Sequence, residues 1–169
     1  MIRPFVTFLK TYPRVFGCIL IAICFILDFT TKQIILHQVM SPPTVIPVTS
    51  FFNLVLAWNT GVSFSLFDSY GNMGTLILTI TSGMITLFFF AWMVMSKRLW
   101  TTSALAMIIG GALGNLYDRV TYGAVVDFLD FYIGSYHWPA FNLADTFITI
   151  GVIFILLDSF FDRKGDQNA

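Results

Sequence analysis

The sequence predicts a mainly α membrane protein with four transmembrane helices, a small extracytoplasmic β element, and both termini on the cytoplasmic side. Three observations carry that expectation. Of the 169 residues, 57% are hydrophobic and only 11% are charged, against about 25% charged in soluble domains. Four apolar runs, about residues 14–35, 72–95, 101–118 and 142–160, approach or reach the length that crosses about 30 Å of hydrocarbon. Between the first two, about residues 44–67, the period changes to that of a strand. The length suits one domain, so residues 1–169 are expected to form a single integral-membrane unit.

The N-terminal segment carries Arg3, Lys10 and Arg14 with no acid, and Val15 to Leu27 is apolar or small. A basic region before an apolar run resembles a signal peptide. The run passes straight into Asp28 and Lys32 without a small-residue cleavage site, which favours an uncleaved first helix. Cys18 and Cys24 lie inside it and read as small buried hydrophobes rather than a disulfide or metal pair. Pro42, Pro43 and Pro47 exclude a continuous helix in the next stretch. There Phe52, Leu54, Leu56 and Trp58 recur at every second position, and Val62, Phe64 and Leu66 alternate with Ser63 and Ser65. Asn59-Thr60-Gly61 reads as the turn between two strands resting on the membrane surface. The second helix ends at Ser96-Lys97-Arg98, so the third is its antiparallel neighbour. Residues 118–140 read as a polar loop before the fourth helix, and Asp162 to Ala169 as a polar tail.

Orientation follows from the cations. Arg3, Lys10, Arg14, Lys97, Arg98, Arg163 and Lys164 fall on one side of a four-span chain, and only Lys32 and Arg119 on the other. Seven of nine positive charges thus place the termini inside. The net charge of zero gives no basic field for nucleic acid.

The same count puts Asp28, Lys32, Asn59, Asn115, Arg119, Asp127, Asn142 and Asp145 at the outer ends of the apolar runs. Ionisable groups there are costly and usually functional. Asp127 and Asp145 read as a carboxylate pair. Two acids that share a site do not ionise together easily, so the pair holds a proton. One can then take a proton from water while the other donates to a carbonyl oxygen.

Each feature has a plainer reading beside that one. Gly110 and Gly114 fit helix packing, and Asn115 fits interhelical bonding. Asp28 and Lys32 fit an i, i+4 pair. Arg119 fits snorkelling or a pair with Asp118, Asp145 a helix N-terminus, and Asp68 and Asp130 solvated loop acids. His37 and His137 lie in no metal-ligand spacing. A Ser/Lys protease built from Lys32 with Ser63 or Ser65 is a competing chemistry, although Asp28 beside Lys32 opposes the low pKa it needs. A non-enzymatic polytopic protein, such as a transporter or assembly subunit, is the competing class.

In order along the chain, Asp28 with Lys32, Asn59-Thr60-Gly61-Val62-Ser63-Phe64-Ser65, Gly110 to Arg119, Val125-Val126-Asp127-Phe128 and Phe141-Asn142-Leu143-Ala144-Asp145 resemble the bacterial lipoprotein signal peptidases, or signal peptidase II family. The resemblance spans about residues 15–160, with Phe29 standing where the family usually has Gln. It implies an aspartic endopeptidase with Asp127 and Asp145 as the catalytic acids. Asn115, Arg119 and Asn142 would border that pair, Asp28 and Lys32 would steady the first helix, and Asn59 would line the site. It further implies diacylglyceryl-modified prolipoproteins as substrates, cut just before the lipidated cysteine. Membrane lipid would surround the enzyme, globomycin would inhibit it, and no metal or organic cofactor would be needed. A monomer is expected, in the bacterial cytoplasmic (inner) membrane. The segment at Trp58 and Asn59, or residues 129–138 with Phe131, Tyr132, Tyr136 and Trp138, is the expected lid.

Overall fold

The computed structural model of the chain describes residues 11–61 and 72–166, with Asn72 and residues 161–166 as backbone only. Among these, four helices follow the four apolar runs: α1 Pro13–Ile34, α2 Asn72–Met95, α3 Leu99–Tyr122 and α4 Leu143–Asp166. All four are long and apolar enough to cross a membrane. A π-helical turn, Ile35–Val39, continues α1. α3 continues to Tyr122, and α4 runs on through part of the expected polar tail.

α3 is the axis of the bundle and packs against α1, α2 and α4. Half of its residues are buried, whereas α1, α2 and α4 turn broad apolar faces outward. Leu76, Ile80, Met84, Leu87 and Phe88 of α2 are exposed in the isolated chain, as suits side chains that meet lipid rather than water. With no water to expel between helices, close packing drives association, and small residues at the interface permit it. A Cβ on Gly110 would meet Cys24 Cβ at 2.6 Å and the Ile21 carbonyl oxygen at 2.9 Å, both on α1. One on Gly151 of α4 would meet the Ala104 carbonyl oxygen at 2.6 Å. The inner core comprises Met93, Leu105, Ala106 and Ile109. Cys24 is buried as expected, but Cys18 is exposed on the bundle's outside, and both are free thiols.

The β element is a four-stranded antiparallel sheet in chain order: β1 Ile46–Thr49, β2 Phe52–Asn59, β3 Val125–Ile133 and β4 Tyr136–His137. This corrects the sequence reading over one stretch. Residues 118–140 are not a polar loop, because they complete α3 and supply half of the sheet. β3 was hidden because its first four residues are all buried, and a strand covered on both faces loses the in–out alternation. The strand expected from Val62 to Leu66 lies outside the described residues, as do Ser63, Ser65 and Asp68.

β2 is not regular. Leu54 pairs with Leu129 but Ala57 with Asp127, so β2 carries one extra residue, a bulge. The alternation of Phe52, Leu54, Leu56 and Trp58 is therefore broken in space although it is unbroken in sequence. The sheet is tied to the bundle by Ile35, Met40 and Phe128, packed with Leu54, Leu56 and Leu129. Phe141, just before α4, exchanges backbone hydrogen bonds with Leu129 at 2.8 and 3.1 Å. That short bridge fixes the start of α4 against β3.

Candidate active site

The polar groups at the top of the bundle come from α1, α3, β2, β3 and the start of α4. Asn142 precedes α4 and Asp145 is its third residue. The Asn142 Oδ1 accepts from the Asp145 backbone N–H at 3.0 Å, and Asp145 Oδ2 accepts from the Asn142 backbone N–H at 3.2 Å. This is a reciprocal capping box written in Asn and Asp, which satisfies two amides that the helix itself leaves open. Asp145 is therefore both a helix-terminal acid and a member of the polar cluster.

Asp127 comes from β3 and is 1% exposed. Its Oδ1 accepts from Asn142 Nδ2 at 2.7 Å and its Oδ2 from Asn59 Nδ2 at 2.8 Å. The bulge makes the second contact possible. It sets Asn59 opposite Val125, on the face that Asp127 uses; a regular ladder would have put Trp58 there. Asn59 also closes the strand's end by accepting from the Gly61 N–H at 2.8 Å, where Gly61 has φ 76°. Burial pushes the Asp127 carboxyl up to about 6, helped by the Asp145 charge and opposed by the Asn59 and Asn142 bonds and by Lys32.

Beneath the two acids lies a buried ionic cluster. Lys32 Nζ is 2.8 Å from Asp28 Oδ2, 2.9 Å from Asp118 Oδ2 and 3.0 Å from Asn115 Oδ1. Those three contacts match the three protons of an ammonium group. Asp28 Oδ1 accepts from the Ala144 N–H at 2.8 Å, a further cap on α4, and Asp118 accepts from the Val126 N–H at 3.1 Å. Asn115 completes the link, donating from Nδ2 to Asp145 Oδ1 at 2.8 Å. Gly114 leaves room for this cluster, since a Cβ there would collide with the Asp28 carboxylate. Gly110 thus serves helix packing as expected, while Gly114 accommodates a buried charge.

All eight singled-out residues converge, though not equally. Asp28, Lys32, Asn59, Asn115, Asp127, Asn142 and Asp145 form one connected network. Arg119 stands at its edge. It does not pair with Asp118, which belongs to Lys32. Its Nη1 reaches only the Asn115 carbonyl, at 3.5 Å, and its Nε is buried without a partner. Sequence reasoning missed Asp118, whose signal was its i, i+3 spacing from Asn115 on α3. It also misread Asp130, which is 6% exposed rather than solvated. Asp130 accepts from Asn53 at 2.9 Å, and His137 Nδ1 lies 2.8 Å away. Burial alone would raise the Asp130 pKa, but these two contacts prevail and hold it below the usual value. Phe29 packs edge-on against Tyr117 and stacks on Phe25, so it faces an aromatic cluster rather than the polar one. Among the described residues no group of His, Cys and Asp could hold a metal ion.

The sequence model of signal peptidase (SPase) II matches residues 20–161. The chain belongs to the signal peptidase II family. Members of this family are aspartic-type proteases. Similar proteins named lipoprotein signal peptidase include one from Vibrio campbellii, 47% identical over 73% of this chain and 73% of its own length. Another, from Rhodopseudomonas palustris, is 40% identical over 85% of this chain and 90% of its own. A solved structure described as a bacterial membrane enzyme superposes with a TM-score of 0.70 at 32% identity, covering 88% of this chain and 90% of that one. Fold, family and enzyme class agree with the sequence reading.

Proposed function

We propose that this signal peptidase II family member is an intramembrane endopeptidase that removes the signal peptide from diacylglyceryl-modified prolipoproteins. It cuts just before the lipidated cysteine and activates water between Asp127 and Asp145. The observation that carries this reading is the double role of Asn142. Its side chain donates to Asp127 and its backbone N–H donates to the Asp145 carboxylate, so two acids from different elements are held on a common support. A buried carboxyl raised to about 6 beside a second acid is the condition under which such a pair keeps one proton near neutral pH. Arg119, with an unengaged guanidinium edge, is placed to hold a substrate carbonyl. The opposing Ser/Lys chemistry is disfavoured because all three Lys32 protons are directed at Asp28, Asp118 and Asn115.

A substrate that is itself a lipid-anchored membrane segment arrives laterally, and a site at helix ends in a four-helix membrane protein suits that approach. The cation count favours both termini inside and the site on the outer side, and membership of the family favours the bacterial cytoplasmic membrane. The chain works as one unit over residues 1–169, as a monomer, and is blocked by globomycin.

The test is cleavage of a diacylated prolipoprotein by purified protein in lipid or detergent. Asp127→Asn and Asp145→Asn are each expected to fold normally and to lose activity by roughly a thousandfold. Near-normal cleavage by either variant would remove the two-acid mechanism. No cleavage by the wild type on any lipidated substrate would remove the enzymatic reading.

A further inference from the structure

The two acids are supported differently, and the difference has a direction. Lys32 only donates and a carboxylate only accepts, so the Asn115 amide has a forced orientation, oxygen toward Lys32 and nitrogen toward Asp145. A cation on the carbonyl end of an amide strengthens its N–H as a donor. Asp145 also sits in the first turn of α4 and accepts a backbone N–H there, where a helix favours negative charge. Asp127 lies on a strand, and neither of its hydrogen bonds comes from a helix backbone N–H. Its donors are two neutral amides, and Asn142 Nδ2 is shared with Asn115 Oδ1 at 3.1 Å and the Val126 carbonyl at 3.3 Å.

We propose that the Asp28–Lys32–Asp118 cluster acts through Asn115 to assign the proton of the acid pair, keeping Asp145 as the charged base and Asp127 as the protonated acid. Lys32, Asp28, Asp118 and Asn115 are then positioning residues for the reaction. The inference rests on the two-acid reading above and deepens it. In the first step the water oxygen bonds to the scissile carbonyl carbon, a water proton passes to Asp145, and the Asp127 proton passes to the carbonyl oxygen. In the second the Asp145 proton passes to the amide nitrogen and the carbon–nitrogen bond breaks. A hydroxyl proton of the intermediate then returns to Asp127, and both acids regain their starting states. The charged groups facing the pair are Asp28 and Lys32 from α1 and Asp118 and Arg119 from α3. β2 contributes the neutral Asn59.

The test is the pH profile of kcat/KM, whose acid limb reports ionisation of the base in the free enzyme. Asn115→Ala cuts the link. Lys32→Met combined with Asp28→Asn removes the cation but leaves the cluster's net charge unchanged. Each is expected to move the acid limb upward by about one pH unit, besides lowering the maximum. A merely structural role lowers the maximum and leaves the limb in place, and that result in either folded variant would overturn the proposal. Infrared spectra near pH about 5 supply a second readout that needs only the isosteric variants. The protonated-carboxyl stretch should vanish in Asp127→Asn and persist in Asp145→Asn; the reverse pattern would overturn the assignment. Neither failure touches the two-acid reading, which falls only if Asp127→Asn or Asp145→Asn still cleaves.

Discussion

At the scale of single residues, Lys32 shows how far a side chain can depart from its usual setting. It is 1% exposed and lies between two buried carboxylates. Lys32→Met would leave both acids buried without a cation, a loss of about 3–5 kcal/mol, read as a lower midpoint of thermal unfolding in detergent. Adding Asp28→Asn should recover part of it. Asp127 gives a pH-dependent counterpart. Its folded pKa is raised from 3.8 to about 6, so between those values the folded protein binds more proton than the unfolded one. Stability from this group is therefore present at low pH and declines as pH rises through that window, by on the order of 3 kcal/mol. Asp127→Asn should remove the decline, so its unfolding midpoint relative to wild type should rise between pH about 4 and about 7.5. A constant offset would show that Asp127 is not the titrating group. The i, i+4 pair of Asp28 and Lys32 was legible because helical spacing is local. Asp118 as its third member was not, since only the crossing of α1 and α3 brings it there.

At the scale of elements, the site depends on irregularities that hydropathy does not report. The bulge in β2 brings Asn59 to Asp127. Inserting one residue after Leu56, with the bulge kept, should bring Trp58 to that position and abolish activity while the helices stay folded. Circular dichroism and cleavage measured on one preparation check this. On α3, Gly114→Ala would press a methyl group against the Asp28 carboxylate. It should cost about 1–3 kcal/mol, with a larger drop in cleavage than in helix content. The Asn142-Leu143-Ala144-Asp145 box was readable as a helix start, because capping is written in adjacent residues. β3 was not, because its buried first half shows no alternation, and the Asn53–Asp130 contact depends on a register that sequence does not fix.

At the scale of the whole molecule, the four spans and the gathering of polar groups at one end were legible, since both follow from the cost of placing charge in hydrocarbon. The opposite end has its own ion pair, Arg98 with Asp158 at 3.0 Å, joined by Thr101 at 2.9 Å. The proposed orientation predicts that a cysteine at Ser135, in the β3–β4 turn, reacts with an impermeant thiol reagent from outside intact cells. One at Lys97 should react only after permeabilisation. The reverse pattern would invert the protein in the membrane and move the site to the cytoplasm. Side chains join the tops of α1, α3 and α4 through Lys32, Asn115 and the α4 cap, while α2 contributes no polar group to that network among the described residues. Bilayers of different thickness are met by helix tilt. Three helices laced together at one end should tilt as a unit, with α2 held to them by apolar packing. Turnover should therefore vary little across lipids of different acyl-chain length, so a bacterium that remodels its acyl chains with temperature need not re-tune this enzyme.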